Sequence, residues 1–256
     1  MSTVTCTNND DGAAVLTLCN PAKLNALTTD MLNQLEAHLT DLDRNRDVRA
    51  VIVTGEGPRA FCCGADIAEW GPLDPAEFAR NWVRDGHRVF DRLARLSKPT
   101  IGALNGHAFG GGLELAACCD IRVMAPRATL ALPEAKVGIV PGWSGTQRMA
   151  RLLPEAVVKE MALFGRRISA ERACALGFAA EVVEDPMIWA QDIVATLTDI
   201  SPRANEIAKA MIHGAVGEDR AAAIEMLGSA AAAASADRDE GVQAFIEKRS
   251  PKFNGQ

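Results

Sequence analysis

The chain has 256 residues, 48% hydrophobic and 23% charged, with a net charge of −6 at neutral pH. That length and balance fit a globular protein with one large core, or a core with an appendage. The acidic balance is not the footprint of a nucleic-acid binder, and no apolar run approaches the roughly 18 residues of a membrane span.

In chain order, the N-terminus has no basic start followed by an apolar core, so no secretory signal is expected. Residues 13–18 read as a strand and Asn20-Pro21 as a turn. Met31, Leu32, Leu35, Leu39 and Leu42 recur at helical spacing, with Thr28 or Thr29 as the cap. Residues 50–54 (AVIVT) form an apolar strand of the kind buried on both faces. Residues 67–75 are irregular, and the loop over 67–76 is expected to be mobile and to line a pocket. Phe78, Trp82, Val83, Val89, Phe90, Leu93 and Leu96 then predict one helix up to Lys98-Pro99. An apolar run over 99–104 breaks at Asn105-Gly106, and Gly110-Gly111-Gly112 opens a helix over 113–119. Strands are expected over 121–124 and 128–132. Strand–helix alternation of this kind argues for an α/β architecture with a parallel sheet. Beyond Gln147 the helices dominate: 148–153, 155–164, 169–176, 187–197, 202–214 and 219–234, with a short strand at 181–183. An α/β core over 1–200 and a helical part over 201–256 are therefore expected.

Seven cysteines include two adjacent pairs, Cys62-Cys63 and Cys118-Cys119, without metal-like spacing. They read as small buried hydrophobes in a reducing compartment, so a cytoplasmic protein with no structural metal is expected. Four histidines show no paired-ligand spacing, and only His107 falls near the glycine run. There is no G-x-S-x-G elbow, because Gly142-Trp143-Ser144-Gly145 has the wrong spacing, and Gly106 to Gly111 lacks the dinucleotide pattern.

The chemistry concentrates around the glycine run. A glycine backbone approaches a ligand closely, and a helix start leaves N–H groups unpaired for a negative oxygen. Glu114 stands in that first turn among Leu113, Leu115, Ala116 and Ala117, which places it inside the protein. The helix start favours its anion and burial its neutral form, so its pKa is expected near the working range of an acid or base. Glu134 follows a short strand and Pro133, and it reads either as a second acid or as a helix cap or surface ion pair. Asp66, behind Gly64-Ala65, reads as an N-cap in preference to an acid.

These residues carry a resemblance. Asn20-Pro21 with Leu24-Asn25-Ala26-Leu27, Phe61 through Ile67, Lys98-Pro99 through Asn105-Gly106, and Gly110 through Ala116 occur in order. Cys119-Asp120-Ile121, Pro133-Glu134 through Gly142, Gly145-Thr146-Gln147-Arg148, Ala175 through Phe178, Val182-Val183 and Phe245 through Arg249 follow. Over essentially its whole length the chain resembles the enoyl-CoA hydratase/isomerase (crotonase) superfamily. The resemblance implies an α/β spiral of ββα repeats with a C-terminal helical trimerisation domain, assembled as a homotrimer or as a hexamer of two trimers. It implies an acyl-CoA thioester substrate, no separate cofactor (coenzyme A is part of the substrate), and no nucleic-acid or membrane partner.

By motif position the oxyanion hole would be the N–H groups of Ala65 and Gly111, and Gly142 would help to place a water. Both acid positions are Glu, at 114 and 134, as in the hydratases of the superfamily. Syn addition of water to a trans-2-enoyl-CoA is therefore expected, with Glu114 activating the water and Glu134 protonating Cα. The coenzyme A side would involve Lys23, Leu24, Cys63, Asp66 and Ile67, with Phe245 and Lys248 reaching a neighbouring subunit's ligand. Trp143 stands where hydratases often carry small residues. It would either narrow the acyl pocket, with its indole N–H free to donate, or pack under the nearby helix. The segment around Pro133 to Pro141 also looks like the carnitinyl-CoA (crotonobetainyl-CoA) dehydratase branch. An enoyl-CoA isomerase, a thioester hydrolase and an idle acyl-CoA-binding subunit compete with the hydratase reading.

Overall fold

The structure, a computed structural model, describes residues 2–9, 11–218 and 220–256. Its strands are β1 (Thr3–Asn8), β2 (Ala13–Cys19), β3 (Ala50–Gly55), β4 (Ala60–Cys62), β5 (Thr100–Leu104), β6 (His107–Phe109), β7 (Ile121–Met124), β8 (Thr129–Ala131), β9 (Ile168–Ser169) and β10 (Glu181–Val182). They sort by rank within each repeat. The first strands of successive pairs, β3, β5 and β7, join β1, β2 and β10 in a six-stranded sheet of order β1-β2-β3-β5-β7-β10. The second strands, β4, β6 and β8, pair with β9 in a four-stranded sheet. Pairing is parallel except at β1–β2 and β8–β9. The helices are α1 (Thr29–Arg44), α2 (Ile67–Trp70), α3 (Pro75–Glu77), α4 (Arg84–Ala94), α5 (Gly111–Ala116), α6 (Gly145–Leu152), α7 (Glu155–Phe164), α8 (Ala170–Ala175), α9 (Pro186–Ala195), α10 (Pro202–Ala215), α11 (Arg220–Ala233) and α12 (Ala236–Glu247).

Composition explains the arrangement. β3 and β5 are buried at every position, as strands covered on both faces must be. One face of the large sheet packs with α1 and α4 through Leu16, Leu35, Leu39, Phe90 and Leu93. The other face, through Val15, Ile52, Ile101 and Val123, packs against α9 at Ala190 and Val194. Thr28 caps α1 by accepting from the Met31 amide at 3.2 Å. Two asparagines stitch the β3–β4 corner. Asn25, held at φ 58°, donates to the Ala60 carbonyl at 2.9 Å, and Asn105 donates to the Gly55 carbonyl at 2.8 Å. Asp120 takes the Thr100 amide at 2.7 Å and so anchors the start of β5.

The expected elements meet their counterparts with shifts of a few residues, and several expectations are corrected. The irregular stretch 67–75 is partly helical. Asp66 accepts from the Ala68 amide at 3.2 Å and starts α2, and Asp74 accepts from Ala76 and Glu77 at 2.8 Å each and starts α3. The single helix expected over 78–96 opens with a π-helical stretch, Phe78–Val83, before α4. β1, β4, β6, β9 and α12 carried too few periodic residues to be read. The helix expected over 219–234 is found as α11, with Asp219 outside the described residues. The chain forms two compact units, Met1–Pro202 and Arg203–Gln256. Among the described residues no helix is long and apolar enough to cross a membrane, and no cluster of His, Cys, Asp or Glu would hold a metal.

One contact is tight enough to test. A Cβ on Gly112 would lie 2.0 Å from the Cys62 carbonyl oxygen, so only glycine lets α5 lie against β4. Gly112→Ala is expected to lower the unfolding free energy by about 3 kcal/mol or more, read from urea denaturation.

Candidate active site

Three strand ends define the site. Cys62 of β4 is level with Ala108 of β6, and Phe109 of β6 with Ala131 of β8. The chain therefore leaves these parallel strands at one level, into 63–66, 110–114 and 132–134. The carboxyl ends of parallel strands are where α/β sheets hold ligands. The three segments wall a cavity of about 330 Å³, closed by aromatic and aliphatic side chains from α2, the π-helical stretch and the 137–143 segment.

Two backbone amides open on this cavity. The Leu27 amide donates to the Gly64 carbonyl and the Asp66 amide to the Leu27 carbonyl, both at 2.8 Å. In extended chain, alternate amides point to opposite sides, so the Ala65 N–H is turned away from Leu27. Gly111 begins α5, where no helical carbonyl precedes its N–H. Gly64 at φ 107° and Gly110 at φ 50° give the reversals that bring the two segments together. A Cβ on Gly111 would be 3.6 Å from the Ala65 nitrogen, and one on Gly64 would be 3.6 Å from the Gly111 nitrogen. Neither amide donates to a protein group among the described residues.

Glu114 projects from α5 and is 3% exposed. Its Oε1 accepts the amides of Trp143 at 2.8 Å and Gly145 at 2.7 Å, which leaves Oε2 for the cavity. Burial pushes its pKa up to about 7; the two amides and Arg148 oppose that, and Glu134 adds to it. Glu134 starts the 3-10 turn Glu134–Val137 and is buried. No other residue donates to either of its carboxyl oxygens; burial pushes its pKa up to about 6, and its own backbone amide opposes that rise. A buried carboxyl with no donor from another residue calls for an explanation, and an open cavity in front of it supplies one. The two acids feel each other's charge, so they titrate as a pair.

Trp143 resolves one open question. Its ring is 2% exposed, lies between Gly86 and Gly111, and packs on Trp82 and Phe90 with centroids at 5.2 and 5.0 Å. A Cβ on Gly86 would fall 2.2 Å from the indole nitrogen. The indole N–H donates to the Trp82 carbonyl at 3.2 Å, so it is not free to serve an acyl group. The ring is part of the cavity's closed end. Trp70, Phe78 and Trp82 add three more aromatic walls.

The remaining predicted residues divide. Cys63, Ile67 and Gly142 line the cavity, and Asp66 and Lys23 form an ion pair at 2.5 Å beside it. Leu24, at φ 53°, accepts the Cys63 amide at 3.0 Å through its carbonyl. Phe245, 86% exposed, and Lys248, the left-handed C-cap of α12, belong to the second unit. His107 hydrogen-bonds the Thr129 hydroxyl at 2.9 Å and stacks on Phe109, and it is not part of the cavity wall. The amides of Trp143 and Gly145 were not read from the sequence. Gly145 did carry a signal, since a Cβ there would be 2.6 Å from Glu114 Oε1.

The raised pKa of Glu114 has a consequence for stability. A carboxyl at about 7 in the fold, against 4.5 in the open chain, contributes stability below pH 4.5 that is lost as pH rises through 7. At pH 8 the Glu114→Gln variant is expected to be more stable than the parent by about 2–3 kcal/mol. At pH 4 the advantage should vanish, as read from denaturant titrations at the two pH values.

Residues 8–256 match the enoyl-CoA hydratase/isomerase family. The chain is 36% identical over 240 residues to a short-chain-enoyl-CoA hydratase of Clostridium acetobutylicum, covering 92% of each chain. It is 35% identical over 248 residues to a crotonyl-CoA hydratase of Syntrophomonas wolfei, covering 95% of each. Among solved structures, the enoyl-CoA hydratase from Bacillus anthracis superposes with a TM-score of 0.80 at 33% identity, covering 99% of both chains. Pseudomonas aeruginosa DspI gives 0.81 at 34% identity, covering 98% of this chain and 96% of the other. With the level strand ends, the paired acids and a match along nearly its whole length, the chain belongs to the enoyl-CoA hydratase/isomerase family.

Proposed function

We propose that this protein adds water, reversibly and with syn geometry, across the double bond of a trans-2-enoyl-CoA to give the 3-hydroxyacyl-CoA. The observation that carries this reading is the pair of buried glutamates facing a cavity into which two unshared amides also open. The thioester oxygen would sit between the N–H groups of Ala65 and Gly111. As water adds at Cβ, charge moves to that oxygen, and each aimed donor is worth about 3 kcal/mol there. Glu114 holds a water through its free Oε2 and takes a proton as the oxygen attacks. Glu134 then delivers a proton to Cα, and the water's second hydrogen remains as the new hydroxyl.

One feature favours that division: Glu114 keeps the amides of two other residues, which favour its anion, whereas Glu134 is opposed only by its own backbone amide. Before substrate binds, burial holds Glu114 higher than Glu134, at about 7 against about 6, so this division requires substrate binding to move the pair's proton to Glu134. Gly142, in the cavity wall, would help to place the water.

A second reading rests on the aromatic lining. Trp70, Phe78, Trp82 and Trp143 surround the pocket, and such rings attract a quaternary ammonium. Crotonobetainyl-CoA would then be the substrate of the same chemistry. Loss of enoyl-thioester absorbance with crotonyl-CoA and crotonobetainyl-CoA, run in parallel, separates the two. No turnover with either would overturn both. Glu114→Gln and Glu134→Gln are each expected to lower kcat by about a thousandfold while acyl-CoA still binds, measured by calorimetry. For the parent, kcat/KM should fall at low pH as both acids protonate and at high pH as both ionise.

The homotrimer or hexamer belongs to the same proposal. α10 has no buried residue, and Met211, Ile212, Val216, Phe245 and Ile246 are exposed, an apolar surface that association would cover. Phe245 and Lys248 would then reach the coenzyme A of a neighbouring subunit. Sedimentation velocity is expected to give three or six chains per particle, and a monomer would refute the assignment.

A further inference from the structure

The loop that holds Glu114 contains an anomaly. Ser144 lies between Trp143 and Gly145, the two residues whose amides bind Glu114 Oε1, and its backbone is left-handed at φ 76° and ψ 12°. A serine in that region is sterically disfavoured, and something must hold it there. Its hydroxyl is 3.0 Å from His87 Nδ1 on α4. His87 Nε2 is 3.4 Å from Asp91 Oδ2, and Asp91 Oδ1 takes the buried Arg148 of α6 at 2.5 Å. Arg95 also reaches Asp91 Oδ2, at 3.5 Å.

The Ser144 hydroxyl can either donate or accept, so it bonds His87 Nδ1 in either tautomer of the ring. Ser144 is buried and does not line the cavity, which removes it as a nucleophile despite the Ser–His–Asp sequence of contacts.

We propose that Ser144 and His87 are positioning residues for Glu114: the hydroxyl–imidazole bond pins the left-handed residue and thereby aims the two flanking amides at Glu114 Oε1. The strand ends place Glu114, and these two donors orient its carboxylate. Both donors sit on one short loop, and the Ser144–His87 bond ties that loop to α4. Neither Ser144 nor His87 lines the cavity, so the clamp acts without touching the reacting atoms. Its catalytic consequence rests on the hydratase reading above; its electrostatic consequence does not.

The test therefore uses two readouts. Carbon-13 NMR of labelled glutamate carboxyls, with the Glu114 signal assigned by its loss in Glu114→Gln, gives the titration of Glu114 directly. Crotonyl-CoA turnover gives kcat and KM. The variants are His87→Ala, at a half-exposed helix position, Ser144→Ala, and the double variant. The charged groups acting on Glu114, namely Glu134 and Arg148, are unchanged in all three.

Each single variant is expected to raise the Glu114 pKa by about one unit as its donors loosen. Each should lower kcat about tenfold at neutral pH with KM within about twofold. The double variant should be no worse than either single one, because the two residues act through one bond. An unmoved Glu114 titration in His87→Ala, or additive losses in the double variant, would overturn the proposal. If the parent protein turns over no enoyl-CoA, the hydratase reading fails, and the NMR titration still decides the clamp.

Discussion

The site depends on the level ends of β4, β6 and β8. Their parallel register brings Cys62, Ala108 and Leu130 side by side, and Ala65, Gly111, Glu114 and Glu134 all follow within five residues of a strand end. Two adjacent amides and two carboxyls meet there because three separate segments are forced to turn at one height. The glycines serve this constraint. Gly112 lets α5 lie on β4, and Gly64 and Gly110 supply the left-handed turns that swing the chain off the sheet.

Burial sets the electrostatics of the site, and hydrogen bonds then divide them. Both glutamates lose water, and both carboxyls rise toward neutral pH. Glu114 alone receives the backbone amides of other residues, from Trp143 and Gly145. Two similar side chains thus meet different surroundings in one cavity.

Trp143 and Ser144 give the segment before α6 its particular shape. The indole fills the closed end of the cavity, and Gly86 on α4 makes room for it. The ring's own N–H is consumed by Trp82, so the surface it offers an acyl group is apolar. Ser144 occupies a backbone conformation that a Cβ disfavours, and its hydroxyl is bonded to His87.

The ordered motifs made the family and the α/β class legible, because Asn25, Asn105, Gly112, Asp120 and Gly145 each answer to a close backbone contact that few other residues satisfy. Glu114 was legible as buried from its apolar neighbours, and Asp66 as a cap from its place before a helix start. Strands of two or three residues, such as β4, β6 and β9, were not, since they exist through their sheet partners and show no period of their own. The helices after Asp66 and Asp74 were obscured by Gly71 and Pro72. What the sequence by itself determined was which residues could do chemistry and which backbone positions had to be glycine, for these are local properties of side chains and dihedrals. Which donor faces which acid, where the Trp143 indole points and what holds Ser144 were decided only by tertiary structure. Those partners lie 29 to 61 residues apart along the chain, and only the packing of α4 and α5 against the 142–145 loop brings them within hydrogen-bonding reach.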